Sequence, residues 1–410
     1  MAEKIRYYLE QQIPELQDLQ KKKLFNQKEI TMIMRRRTDF EHRINGRGSK
    51  PNDFLKYIQF EMILDKLRKK RLIRFKDLID IKGTTISDYA GQRRIFFIFE
   101  RGVNKYPKSM ELWSGYLKYA KKNGSIKIIY ETYSKLLQLQ PRNINVWLSA
   151  AKYEFEKNKN IKSSRDLFKR CLRFNNDSIE VWNEFIKFEL NYLSKLLIRR
   201  KLFGLISERQ QIEDLSKNEL NTQENIISIN NEELNDELNQ LPELNLSTLG
   251  TIETNPVLRG DLILTLYDVG LSTILKKTVD NNIKQDRFNK MFSFSYGIIQ
   301  IIDQFEIMDR NYLLNHIIKR LIDEYPMELK IIILNLTLNL RYLKKSNDDE
   351  FVQNLQNSIK GYHAWFAKEK DNDLKMKVKL EFIKYLTDNY ISNDDDDETT
   401  KLLKLLIKKI

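Results

Sequence analysis

Basic side chains in dense runs are the chemical resource this sequence offers most plainly. Lys21-Lys22-Lys23, Arg35-Arg36-Arg37 and Lys69-Lys70-Arg71 all fall within residues 1–80, in a chain of 71 Lys and Arg against 57 Asp and Glu, net charge +14. Guanidinium and ammonium groups at that density hold phosphate or carboxylate oxygens, so they suggest a polyanionic partner, with RNA first. Any one run also fits a solvated helix face; it is their crowding that points to a partner. The candidate contacts are Arg35, Arg36, Arg37, Arg68, Lys69, Lys70, Arg71 and Arg74. Phe40, Leu67, Leu72 and Phe75 alternate with them, which on a helix sets a basic face against an apolar one.

Catalysis finds no foothold. His42, His316 and His363 are scattered, and neither HExxH, GxSxG nor a phosphate-cradling GxxxxGK[ST] occurs. Carboxylates are plentiful but no spacing distinguishes an acid–base pair from solvated charge. Cys171 is the only cysteine, which excludes an intramolecular disulfide and a cysteine-rich metal site and fits a reducing compartment. An enzyme is not expected, nor a cofactor, a metal or a small-molecule substrate. No zinc finger, KH loop or aromatic RNP motif supports base-specific readout, so any RNA contact would run along the backbone. Met1–Glu10 has no apolar signal core, and apolar runs such as Ile331–Leu334 are far short of the roughly 18 residues of a membrane span, so neither secretion nor a membrane partner is expected.

The elements that would carry these residues are helices. Only 7 Pro and 13 Gly occur, and apolar residues recur at helical rather than strand spacing. Trp113, Trp147 and Trp182 stand 34 and 35 residues apart, the period of helix-turn-helix repeats. Aligned on them, Trp113/Tyr116/Tyr119, Trp147/Ala150/Tyr153 and Trp182/Phe185/Phe188 mark the first helix of each unit. Pro107, Pro141 and Asn176, six residues earlier, stop the preceding helices, whose core positions are Phe99/Val103, Tyr133/Leu137 and Phe168/Leu172. Trp113, Tyr116, Tyr133, Trp147, Tyr153, Phe168, Trp182 and Phe185 are therefore expected to be repeat core. Stacked helix pairs share one core and present an extended concave binding surface.

Phe54, Tyr57, Phe60 and Glu61 resemble a further first helix, so the repeats begin near residue 53. The expected organisation is a basic helical docking segment over 1–80, a repeat solenoid over 81–206, a flexible acidic Asn/Glu-rich insertion over 207–256, and divergent helical repeats over 257–410. In that last part Ile318, Ile322, Tyr325 and Pro326 match Phe99, Val103, Tyr106 and Pro107. The acidic run Asp394–Glu398 and the following Lys401–Ile407 predict a capping helix, with a membrane-surface helix as the alternative.

Trp147/Tyr153/Glu154 and Trp182/Phe185/Glu189 resemble half-a-TPR (HAT) repeats, which occur chiefly in RNA-processing assemblies. The N-terminus narrows the resemblance through Tyr8-Leu9-Glu10, Pro14-Glu15-Leu16, Leu24-Phe25, Glu29-Ile30, Arg36–Glu41 and Asp53–Glu61, a series similar to the U3 small nucleolar RNA-associated protein 6 family. That resemblance covers about the first two hundred residues; the acidic insertion and the C-terminal half match no motif of it. It implies an all-α, right-handed α-solenoid of HAT helix pairs preceded by N-terminal helices. It further implies a scaffold in the UTP-B subcomplex of the nucleolar small-subunit processome, needed for 18S rRNA and so for the 40S subunit. The implied partners are the other UTP-B subunits, which are WD40-propeller proteins, further processome proteins, and pre-rRNA and U3 RNA by direct or indirect association. The alternatives are a HAT scaffold of splicing or mRNA 3'-end processing, which would lack the Pro14-to-Glu61 series, and an autonomous basic RNA-binding protein.

Overall fold

The computed structural model describes residues 2–75, 85–203, 250, 254–276, 284–342 and 349–390. Among these every regular element is a helix. They form two compact units, residues 1–146 and 147–410. The acidic segment expected over 207–256 lies outside the described residues except at 250 and 254–256, and so does the C-terminal stretch from 391 onward.

The first unit holds α1 (Ala2–Glu10), α2 (Ile13–Lys21), α3 (Gln27–Asn45), α4 (Pro51–Arg74), α5 (Ile86–Lys105), α6 (Met110–Lys122) and α7 (Ile126–Leu139), and α8 (Ile144–Glu156) begins at its end. Three of these helices start on the same local device, a carboxylate three residues in that accepts the N–H of the capping residue. The pairs are Asn26 N–H to Glu29 Oε2 at 2.9 Å, Lys50 N–H to Asp53 Oδ2 at 2.8 Å and Thr85 N–H to Asp88 Oδ2 at 3.0 Å. Each satisfies a donor that the helix itself leaves open and places negative charge at the positive end of the dipole.

The spacing between tryptophan and helix stop has a physical cause. Proline forces the residue before it out of the helical region, and Tyr106 and Gln140 accordingly sit at φ −127, ψ 67 and φ −131, ψ 63. Asn175, which precedes Asn176, adopts nearly the same geometry at φ −130, ψ 46. The chain then turns so that the next helix's indole reaches back. Trp113 Nε1–H donates to the Pro107 carbonyl at 3.0 Å, and Trp182 Nε1–H to the Asn176 carbonyl at 3.1 Å. The indole thus closes the turn with its polar edge while its rings fill the core.

Aromatic stacking ties each second helix to the first helix that follows. Phe99 stacks on Tyr116 with ring centroids 5.3 Å apart, and Phe168 on Phe185 at 5.0 Å. The same offset along the chain recurs at Phe40 and Tyr57, 5.0 Å apart and nearly parallel, which puts α3 in the register of a second helix. The repeat pattern therefore reaches one helix further toward the N-terminus than the expected start near residue 53. The pair α4–α5 is longer than its successors, and its additional turns receive α2 and the Leu24–Phe25 corner in a core of Leu16, Leu19, Leu24, Phe25, Ile30 and Ile33, with Leu64 and Leu72 packed against it. The basic run Lys69-Lys70-Arg71 lies in the last turns of α4.

The second unit continues with α9 (Ile161–Phe174), α10 (Ile179–Phe203), α11 (Pro256–Arg259), α12 (Asp261–Lys276), α13 (Lys284–Ile302), α14 (Arg310–Glu324), α15 (Leu329–Thr337), a 3₁₀ turn over Leu338–Leu340, α16 (Asp349–Lys368) and α17 (Asn372–Tyr390). Helices α9, α10 and α12–α14 share one core containing Trp182, Phe185, Tyr267, Phe294 and Ile317. Helices α15–α17 enclose another around Ile332, Phe351, Tyr362 and Phe382. Tyr325, before Pro326, repeats the turn of Tyr106 at φ −138, ψ 71, so the repeat continues here; the tryptophan position is taken by buried Ile332. Of the expected repeat-core residues, Trp113, Tyr116, Tyr133, Trp147, Phe168, Trp182 and Phe185 are buried, and Tyr153 is half-buried.

Gly260 joins α11 to α12 in the left-handed region, at φ 102 and ψ 16. A Cβ there would also stand 3.0 Å from Leu313 Cδ2. Gly260→Ala is expected to cost about 1–2 kcal/mol from the backbone alone, read as a lower urea midpoint; an unchanged midpoint would show that this turn relaxes freely.

Candidate partner-binding face of the N-terminal unit

The helices of the first unit are braced by buried ion pairs, and these determine which basic residues remain for a partner. Arg37 lies on the inward row Ile30, Ile33, Arg37, Glu41, Ile44 of α3 and is fully buried. Its guanidinium grips Glu61 of α4 with two parallel bonds, Nε–H to Oε1 at 2.7 Å and Nη2–H to Oε2 at 3.0 Å. Arg94 of α5 donates to the same carboxylate at 3.2 Å and also bonds Glu15 of α2, which stands 3.7 Å from Arg37 Nη1. Two cations and two carboxylates thus close a ring that links four helices. Burial pushes the Glu61 carboxyl up, but Arg37 and Arg94 outweigh it and hold it below its ordinary value. Such a ring matters through the cost of breaking it: removing one member leaves an uncompensated buried charge.

The Arg37–Glu61 pair spans 24 residues, as does the two-pronged Arg165–Glu189 pair of the second unit, with both bonds at 2.8 Å. The same clamp thus recurs at two places in the repeat, a second-helix arginine holding a glutamate of the following first helix. Arg101 of α5 also grips a carboxylate with two bonds, both at 3.0 Å, but that of Glu41 on the earlier helix α3, while lying against the rings of Tyr8 and Phe97.

Three of the eight candidate contact residues are therefore not available to a partner. Arg37 belongs to the ring. Arg68 is buried against Asp65 and Asp88, at 3.1 and 3.0 Å. Arg71 binds Glu29 at 2.7 and 2.8 Å and the Leu24 carbonyl at 2.8 Å, with its guanidinium over the Phe25 ring. Its hydrogen bonds, with that of Asn26 N–H, bring Glu29 down to about 2. In a run of consecutive cations a helix turns some inward, where helix packing supplies carboxylates. Lys69 is exposed but rests on Asp65 at 2.8 Å. Arg35, Arg36, Lys70 and Arg74 are exposed and make no ion pair among the described residues.

A cleft of about 680 Å³ opens between α1–α2 and α5, lined by Tyr8, Gln12, Tyr89, Arg93 and Phe97 among others, with the carboxylates of Glu15 and Glu41 in its wall. Sequence reasoning missed it because its walls come from helices far apart in the chain. The residues with catalytic potential do not converge. His316 faces Asp268 at 3.2 Å, His363 lies beside Tyr362, and Cys171 is buried with its thiol pushed up by burial. Among the described residues no group of three or more His, Cys, Asp or Glu could hold a metal, and no helix is long and apolar enough to cross a membrane.

Residues 9–94, which supply α2–α4, the first half of α5 and every member of the ion ring, match the family model of U3 small nucleolar RNA-associated protein 6. Residues 96–195 match that of Suppressor of forked protein (Suf), a HAT-repeat family. The U3 small nucleolar RNA-associated protein 6 of Schizosaccharomyces pombe is 36% identical over 213 residues, which are 52% of this chain and 43% of that protein. Its homologues from Mus musculus and Homo sapiens are 32% and 29% identical over 156 and 161 residues, 38% of this chain in each case. The chain spans under half the length of the first of these relatives and about a quarter, 26%, of the other two. Residues 9–94 thus carry the signature of the U3 small nucleolar RNA-associated protein 6 family, and the resemblance read from the Tyr8-to-Glu61 series holds for the N-terminal half of the chain.

Proposed function

We propose that this chain is a non-enzymatic scaffold of a U3 small nucleolar ribonucleoprotein assembly, acting in the nucleolus in the processing of pre-18S rRNA. Within that assembly its place is the UTP-B subcomplex of the small-subunit processome, among WD40-propeller subunits. The observation that carries this reading is the match of residues 9–94 to a family named for association with U3 RNA. The ion ring supports it, because Glu15, Arg37, Glu61 and Arg94 of that segment serve to fix helices against one another, while Arg35, Arg36, Lys70 and Arg74 stay exposed.

The test is to tag the chain, purify it from cells at moderate salt, and identify the proteins and RNA that accompany it. U3 RNA, pre-rRNA and propeller subunits together would support the proposal. Splicing or 3'-end processing factors without U3 RNA would contradict it. The exposed Arg35, Arg36, Lys70 and Arg74 favour a second reading, direct RNA binding by the isolated chain. That reading requires affinity that falls steeply with salt, since each neutralised phosphate releases counterions; weak or shallow binding would leave the scaffold alone.

A further inference from the structure

Helix α4 has one face that nothing among the described residues covers. Lys56, Ile63, Lys66, Leu67, Lys70 and Arg74 are exposed; Ile63 lies seven residues from Lys56, Lys66 and Leu67 three and four from Ile63, Lys70 four and three from that pair, and Arg74 four from Lys70, so they share one face of the helix. Ile63 is 65% exposed and Leu67 39%, and at the edge of the row Ile73 is 72% exposed. The row contains no acid. The carboxylates of this part of α4 are turned away from it: Glu61 is sealed in the ion ring, and Asp65, with 10% of its side chain exposed, binds Arg68 and Lys69. Lys56, Lys66, Lys70 and Arg74 make no ion pair among the described residues.

Each half of this pattern narrows the occupant. A face meant only for solvent would carry charges of both signs and would not line up exposed isoleucine and leucine. A face meant for an RNA backbone would have no use for those aliphatic side chains. Apolar residues at helical steps, flanked by cations on both sides, complement a helix whose own apolar stripe is flanked by Asp and Glu. From Ile63 to Arg74 the row runs three turns, roughly 16 Å, enough for a short helix to lie along it.

We propose that the face of α4 from Ile63 to Arg74 docks an acidic amphipathic helix of another protein. The proposal rests on the scaffold reading above and deepens it by naming a surface and the chemistry of its partner.

The experiment uses the full chain in cells with a photo-crosslinking phenylalanine derivative in place of exposed Lys66. After irradiation and purification, the crosslinked peptide is identified by mass spectrometry. The expected peptide comes from a different protein, carries net negative charge, and has apolar residues at steps of three and four. Its yield should fall about tenfold or more in Ile63→Ser/Leu67→Ser and in Lys70→Glu/Arg74→Glu, as for the loss of interface anchors. All four side chains are exposed, so helicity and melting should be unchanged, and circular dichroism on each variant checks this. A crosslink to RNA, to another part of this chain, to a second copy, or to a segment that is not acidic overturns the proposal, as does a yield insensitive to both variants or no crosslink at all. Failure here with U3 RNA still co-purifying would reject the docking face and leave the scaffold reading standing; loss of U3 RNA from the unsubstituted chain would reject that reading itself.

Discussion

Arg37→Ala is expected to destabilise the N-terminal unit by about 3–5 kcal/mol, although it removes one arginine from a run of three. The cause is the charge left behind. Glu61 and Glu15 would face a single buried cation, Arg94, instead of two. Arg37→Glu would put a third carboxylate into the same pocket and is expected to prevent folding of the unit. Arg35→Ala and Arg36→Ala remove exposed side chains without ion pairs and should each stay within about 0.5 kcal/mol of the parent. Replacing both members of the gripped pair, as in Arg37→Met/Glu61→Leu, leaves Arg94 matched with Glu15 and should cost less than Arg37→Ala alone. Urea unfolding followed by far-ultraviolet circular dichroism measures the series. Equal effects at 35, 36 and 37 would contradict the placement of Arg37.

The second large effect is expected at Trp113→Ala, at about 3–5 kcal/mol. Trp113 is 1% exposed, and its loss would empty the space between helices of the first unit and leave the Pro107 carbonyl without its indole donor. Trp113→Phe restores much of the volume but not the hydrogen bond, so it should recover most of that stability and stop short of the parent. If alanine leaves the unfolding midpoint where it was, the indole is not the residue that closes the turn.

The repeats were legible because their constraints are local. Proline fixes the residue before it, the turn fixes where the next helix begins, and the indole must then fall six residues on to reach the carbonyl. That rule survives in the C-terminal part at Tyr325-Pro326 even though Ile332 has replaced the tryptophan. The roles of the basic residues were not legible in the same way. Three adjacent arginines look alike in sequence, and only a helix wheel separates Arg37, which shares a face with Ile33 and Glu41, from its neighbours. One signal was available: Arg37 precedes Glu61 by the same interval as Arg165 precedes Glu189. The cleft beside α5 was beyond reach for another reason. Its walls are brought together by α2 packing on α5, a contact between segments some eighty residues apart that no periodicity encodes.

The same distinction divides function from architecture. Inward charges specify how α2–α5 meet, and the outward ones, Arg35, Arg36, Lys66, Lys70 and Arg74, are exposed. In the scaffold role proposed above the chain would act through what it holds together, and its effect is then expected in the product of the assembly.

The most direct measurement is metabolic labelling of ribosomal RNA after depletion of this protein, with the parent chain or a variant restored. The account predicts that newly made small-subunit rRNA falls while large-subunit rRNA is maintained, that the parent chain restores it, and that Arg37→Ala does not. Equal loss of both rRNAs, or no loss of either, would contradict a role in pre-18S processing.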